Sequence, residues 1–185
     1  MPPCPPPGDP VSDHPPAPAI VVMGVSGSGK TTLGRRIATA LGCAFVEGDD
    51  LHPAVNVAKM SAGIALTDED RWPWLDRVAE TLRTLSGSGC VVSCSALKRA
   101  YREYIRAHGG TDVIFVHPEV ERSVLARRME ARPGHYMPLS LLDSQWTTLE
   151  RPDDDEAVIR LNGALSPEVL TDEVLAQLSR AGPVA

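Results

Sequence analysis

With 185 residues, 43% of them hydrophobic and 23% charged, the chain is long enough for one domain with a sizeable core. Its net charge of −6 argues against a nucleic-acid binder, which presents a basic face. No apolar run approaches the roughly 20 residues that cross a bilayer, and no basic-then-apolar leader marks a secretory signal, so a cytoplasmic protein with no membrane partner is expected.

Residues 1–18 hold nine of the 17 prolines and read as a disordered tail outside the folded domain, which is expected to span 19–185. "AIVVMGV" (19–25) is a continuous apolar run, as for a strand buried on both faces. "KTTLGRRIATALG" (30–42) has helical spacing through Leu33, Ile37 and Leu41, with Gly42 as the stop. "CAFVEGDD" (43–50) reads as a second strand ending in acids. A helix over 68–89 opens with acidic residues, followed by a third strand, "CVVSCSA" (90–96), and a basic helix over 97–110. A fourth strand (111–118) and a helix (119–132) lead to the break "PGHYMP" (133–138). A further helix (139–152), a fifth strand (157–163) and a last helix (166–182) complete the chain; Ser166 is the N-cap of the last helix and Pro167 its first residue.

Strands alternating with helices predict a parallel sheet covered on both faces, with ligands at the carboxyl ends of the strands. The polar residues that stand out fall at those ends: Gly24 to Thr31, then Asp49 and Asp50, then Ser95 and Lys98. Of the four cysteines, Cys90 and Cys94 would share a strand face about 13 Å apart, too far for a disulfide. Reduced thiols are expected, consistent with the cytoplasm.

"GVSGSGKT" (24–31) has the pattern G-x-x-x-x-G-K-[ST] between a buried strand and an amphipathic helix. Gly24, Val25, Ser26, Gly27, Ser28 and Gly29 form a loop whose N–H groups can face phosphate oxygens. Lys30 reaches the β- and γ-phosphates, and the Thr31 hydroxyl can coordinate Mg²⁺. The chain has no N-K-x-D, which disfavours a guanine switch. Its third strand ends without the acid that motor ATPases place there. A compact kinase for a small molecule remains, with ATP as donor and a carboxylate after the second strand, Asp49 or Asp50, for base and metal work.

Three longer blocks sharpen this reading. They are GD-x-LHP-x-x-N-x-x-KM (48–60) with D-x-DR-x-PWL (68–75), CSALK-x-x-YR (94–102), and GH-[FY] at 134–136 followed by SQ at 144–145 and LE at 149–150. In order and spacing they resemble the gluconokinase family, across most of residues 20–165. The resemblance implies a P-loop fold of the nucleoside-monophosphate-kinase type, similar in layout to shikimate kinase: a five-stranded parallel sheet with helices on both faces and a helical lid at about 128–140. It implies phosphorylation of D-gluconate by ATP with Mg²⁺, and suggests a homodimer. Another sugar acid is the alternative acceptor, and a non-catalytic nucleotide sensor the alternative class.

By the same resemblance Asp49 is expected as base or hydroxyl-positioning group, touching Mg²⁺ through water. Arg71 is expected to clamp the substrate carboxylate bidentately. His52, Lys59, Ser95, Lys98, His135 and Gln145 are expected around the polyol acid. Arg128 and Arg132, spaced i, i+4 on one helix face, are expected over the nucleotide, Arg132 on the transferred phosphoryl.

Overall fold

The computed structural model describes residues 18–110, 113–130 and 139–181. Nearly all of the expected tail (1–18) lies outside them, as do positions 131–138 of the expected lid, with Arg132 and His135.

The elements run β1 (Ala19–Val22), α1 (Lys30–Leu41), β2 (Ala44–Glu47), α2 (Ala54–Ser61), α3 (Asp68–Leu85), β3 (Cys90–Ser93), α4 (Arg99–Gly109), β4 (Val113–Glu119), α5 (Arg122–Glu130), α6 (Leu139–Thr148), β5 (Val158–Asn162) and α7 (Pro167–Ala181). The five strands are parallel in the order β2-β3-β1-β4-β5, so the loop after β1 emerges at the centre of the sheet's carboxyl edge.

Strand periodicity builds two cores. Val21, Met23, Val92 and Phe115 point to one face, under α3 and α4. Ile20, Val22, Val91 and Val116 point to the other, under α1 and α7. This double burial is why β1 and β3 read as unbroken apolar runs. A third cluster of Val25, Leu97, Leu125 and Leu142 ties the loop after β1 to α5 and α6.

Helix ends follow local chemistry. Thr67 and Asp70 form a reciprocal capping box at the start of α3. Ser166 Oγ accepts the Val169 N–H before α7, as its N-cap position requires. Gly42 closes α1 with φ 66°.

Two features differ from the sequence reading. The second strand stops at Glu47, and Gly48–Leu51 is a 3₁₀ turn that carries both acids. Gly48 abuts β3 so closely that a Cβ would sit 1.9 Å from the Ser93 carbonyl oxygen. Its N–H donates to Ser93 Oγ at 3.1 Å, and Ser93 Oγ in turn donates to the Glu47 carboxylate. Helix α2 has no counterpart among the expected elements. It turns Asn56 inward and leaves Val55 and Val57 exposed, so no apolar stripe announces it.

Candidate active site

The loop from Gly24 to Lys30 bends through left-handed glycines, with φ of 127° at Gly24, 79° at Gly27 and 92° at Gly29. Only glycine adopts these values without strain. The Gly24 N–H donates to the Ser95 carbonyl at 3.1 Å, which joins this loop to the segment after β3. Ala96 next to it has φ 40°, the one non-glycine residue with positive φ among those described, and strain of this kind gathers at functional sites. Lys30 opens α1, and its Nζ donates to the Val25 carbonyl at 3.0 Å. Thr31 follows in the first turn, half-buried.

A cleft opens beside this loop. Its polar lining comes from Ser26 and Lys30 of the loop and the start of α1, from Asp49, His52 and Arg71, and from Ser95, Ser144 and Gln145. Met60, Ile64, Ala65 and Leu66 form an apolar lip. Of the two acids, Asp49 lines the cleft and Asp50 does not. The 3₁₀ turn is pinned by Trp74, whose Nε1–H donates to the Gly48 carbonyl at 2.7 Å.

Arg71 is only 9% exposed, and its guanidinium lies 5.9 Å from the Tyr101 ring centroid. The neighbouring acids are held by other cations. Lys98 Nζ donates to both Asp68 oxygens at 2.7 Å, and Tyr101 Oη to Asp68 Oδ1 at 2.6 Å. Lys59 Nζ donates to the Asp70 oxygens at 2.6 and 2.8 Å. These bonds hold both carboxyls below their usual range. Among the described residues Arg71 therefore makes no ion pair, and it faces the cleft. Lys59 and Lys98 do not line it: both reach it only through the acids that flank Arg71.

His52 stacks on Trp74 with ring centroids 4.2 Å apart, and its Nδ1 lies 3.4 Å from Asn56 Nδ2. Burial and then the positive Arg71 push its pKa down to about 4, so it is a neutral imidazole at the cleft wall. Burial pushes the Cys94 thiol up to about 12, which keeps it protonated at neutral pH. Gln145 Oε1 accepts the Ser26 N–H at 2.7 Å. Arg128 Nη2 donates to the Gly163 carbonyl at 3.0 Å and does not line the cleft.

Sequence reasoning missed the residues that hold the site rather than line it. Tyr101 orients Asp68, and Trp74 pins the Asp49 turn; in the sequence both stand only as letters of the matched blocks. The apolar lining residues 64–66 fall between two matched blocks and gave no signal of their own.

The donor set suits a phosphorylated nucleotide on one side and a small acid on the other, a division that many P-loop kinases share. The shikimate kinase family model matches residues 26–160. Gluconokinase of Gluconobacter oxydans is 52% identical over 160 residues, covering 84% of this chain and 88% of that protein. The chain belongs to the gluconokinase family. The crystal structure of a gluconokinase from Sinorhizobium meliloti 1021 superposes on this family member with a TM-score of 0.82 at 49% identity, covering 89% of this chain and 93% of that one. Shikimate kinase from Aquifex aeolicus superposes with a TM-score of 0.56 at 16% identity, a likeness of fold alone. The fold is that of P-loop kinases, as expected, and gluconokinases share far more sequence with the chain than shikimate kinase does.

Proposed function

We propose that the chain phosphorylates D-gluconate at its terminal hydroxyl with ATP, yielding 6-phospho-D-gluconate and ADP. The observation that carries this reading is the buried Arg71, without an ion pair among the described residues, lining the same cleft as Lys30 and Ser26 of the phosphate loop. A sugar acid supplies the carboxylate that Arg71 lacks, and its extended polyol spans the distance to the loop.

Bound Mg-ATP would supply the γ-phosphoryl group, whose bond to the ADP oxygen breaks as one to the acceptor oxygen forms. The residues fit such a donor. The loop already holds a neutral acceptor oxygen, Gln145 Oε1, on the Ser26 N–H. Lys30 stabilises charge on the phosphoryl oxygens, and Thr31 offers its hydroxyl to Mg²⁺. Asp49 would orient the acceptor hydroxyl, take its proton and help to hold the Mg²⁺ that the nucleotide brings. His52, Ser95 and Gln145 meet the polyol. Lys98 and Lys59 act on the acceptor through Asp68 and Asp70, by fixing the charge around Arg71. Arg128 serves the adenine side. Arg132, His135 and a lid at about 128–140 complete the assignment, with 131–138 outside the described residues.

The test is ADP release by purified protein with Mg-ATP. Release is expected only with gluconate, and Lys30→Ala is expected to abolish it. Faster release with another sugar acid would reassign the acceptor, and gluconate turnover by Lys30→Ala would sink the mechanism. Among the described residues no helix can cross a membrane. A cytoplasmic homodimer is part of the proposal, to be checked by cell fractionation and sedimentation velocity. The proline tail is proposed to be dispensable for catalysis, which deletion of 1–17 tests.

A further inference from the structure

The Ser26–Gln145 hydrogen bond joins positions 119 residues apart, and it uses a phosphate-loop N–H. The Gly24 and Ser28 N–H groups are engaged by the Ser95 and Val25 carbonyls. Ser26 is thus the loop N–H on the cleft side held by a side chain rather than by backbone, and a side chain can leave. Its partner is an uncharged carboxamide oxygen. A phosphoryl oxygen carries charge and makes a bond of the same geometry roughly twice as strong. Gln145 stands on α6, which follows the proposed lid segment directly, and it lines the acceptor end of the cleft. Leu142, one turn earlier, packs with Val25 of the loop, so α6 is anchored there, while the Gln145 side chain is only half-buried.

We propose that Gln145 is a nucleotide-operated positioning residue. Without nucleotide its Oε1 occupies the Ser26 N–H in place of a phosphoryl oxygen. When the terminal phosphoryl takes that N–H, the carboxamide turns to the acceptor hydroxyl and holds it for transfer. The acceptor side of the cleft is therefore completed only after the donor has bound. This rests on the phosphotransfer reading above and adds to it a competition between Gln145 and ATP for one N–H group.

That competition has a signature that loss of packing does not share. Gln145→Ala removes the competitor, so Mg-bound ATP analogue is expected to bind about fivefold tighter, the equivalent of one ordinary hydrogen bond. Its kcat with gluconate is expected to fall at least about tenfold, as one positioning contact to the acceptor is lost. Gln145→Glu keeps an acceptor for the Ser26 N–H but sets a negative charge against the phosphoryl group, so nucleotide binding is expected to weaken at least about tenfold. Residue-resolved amide exchange on the ¹⁵N-labelled full chain supplies a readout without any acceptor. The Ser26 amide is expected to exchange slowly in wild type and Gln145→Glu without nucleotide, and faster in Gln145→Ala. The analogue is expected to bring wild type and Gln145→Ala to the same protection. Nucleotide affinity falling with kcat in Gln145→Ala, or Ser26 exchange indifferent to residue 145, would overturn the proposal. The exchange and nucleotide-binding arms stand whether or not gluconate proves to be the acceptor, so failure of the one reading is separable from failure of the other.

Discussion

Among the described residues the buried Arg71 guanidinium makes no ion pair, while the acids one and three positions before it, Asp70 and Asp68, are held by lysines from elsewhere in the fold. Leaving a charge buried and unpaired is costly, and that cost is recovered when a ligand carboxylate arrives. Arg71→Met is therefore expected to raise KM for gluconate by roughly 10- to 100-fold, with KM for ATP unchanged. Steady-state kinetics with each substrate varied separates the two effects. Asp49 faces the same cleft from a turn that points Asp50 elsewhere. Asp49→Asn should lower kcat by about 10²- to 10⁴-fold with nucleotide affinity retained, whereas Asp50→Asn should leave kcat nearly unchanged. Equal losses in both variants would contradict the assignment. The sequence marked the pair, but only the 3₁₀ turn tells its members apart.

Among the elements, the β2–β3 edge and α3 act together to aim that turn. Gly48 packs against the Ser93 carbonyl, its own carbonyl accepts from Trp74, and its N–H reaches Ser93 Oγ. Gly48→Ala puts a methyl group 1.9 Å from a backbone oxygen, which no side-chain rearrangement relieves. The expected loss of stability is about 3 kcal/mol, the upper end for overpacking, and kcat should fall because Asp49 moves with the turn. Urea denaturation and kcat on the same preparation test this; an unperturbed kcat would show that the turn does not aim the base. The sequence predicted a strand over 43–50 ending in acids, since Phe45 and Val46 suit one, and it could not register how near β3 would lie. Helix α2 escaped notice for a related reason, since its buried position is the polar Asn56, which donates to the Asp70 carbonyl at 2.7 Å.

Across the whole molecule, buried ionisable groups set the response to acid. His52 and His117 are both pushed down to about 4, first by burial, then by Arg71 at His52 and by Arg102, Arg151, Lys30 and Arg160 at His117. Above pH ~6.5 both imidazoles are neutral in the folded and unfolded chain, and stability is flat on their account. Between about 6.5 and 4 the unfolded chain takes up protons that the folded chain refuses. Stability then falls with pH, by up to about 1.4 kcal/mol per pH unit for each histidine. Glu156 adds to the loss at lower pH. Arg102 donates to it twice, at 2.6 and 2.7 Å, within a pair almost fully buried, which holds its carboxyl below the usual range. Stability from that pair is present above the unfolded carboxylate value and lost as pH falls through the folded one. The urea midpoint is expected to hold steady from pH 8 to 7 and drop steadily from 6.5 to 4, with a shallower drop in His117→Gln. A midpoint that rises on acidification to pH 5 would refute this.

The sequence by itself determined the phosphate loop, the strand and helix alternation and the family, because each is written in local spacing: glycines where φ must be positive, apolar runs where both faces are buried, and blocks in fixed order. Only the tertiary structure decided which acid faces the cleft, which cations are already paired, and that α6 reaches back to the loop. Those outcomes depend on contacts between positions 11 to 119 residues apart, from Lys59–Asp70 to Ser26–Gln145, and no local pattern encodes the distance between two chain segments until the sheet has brought them together.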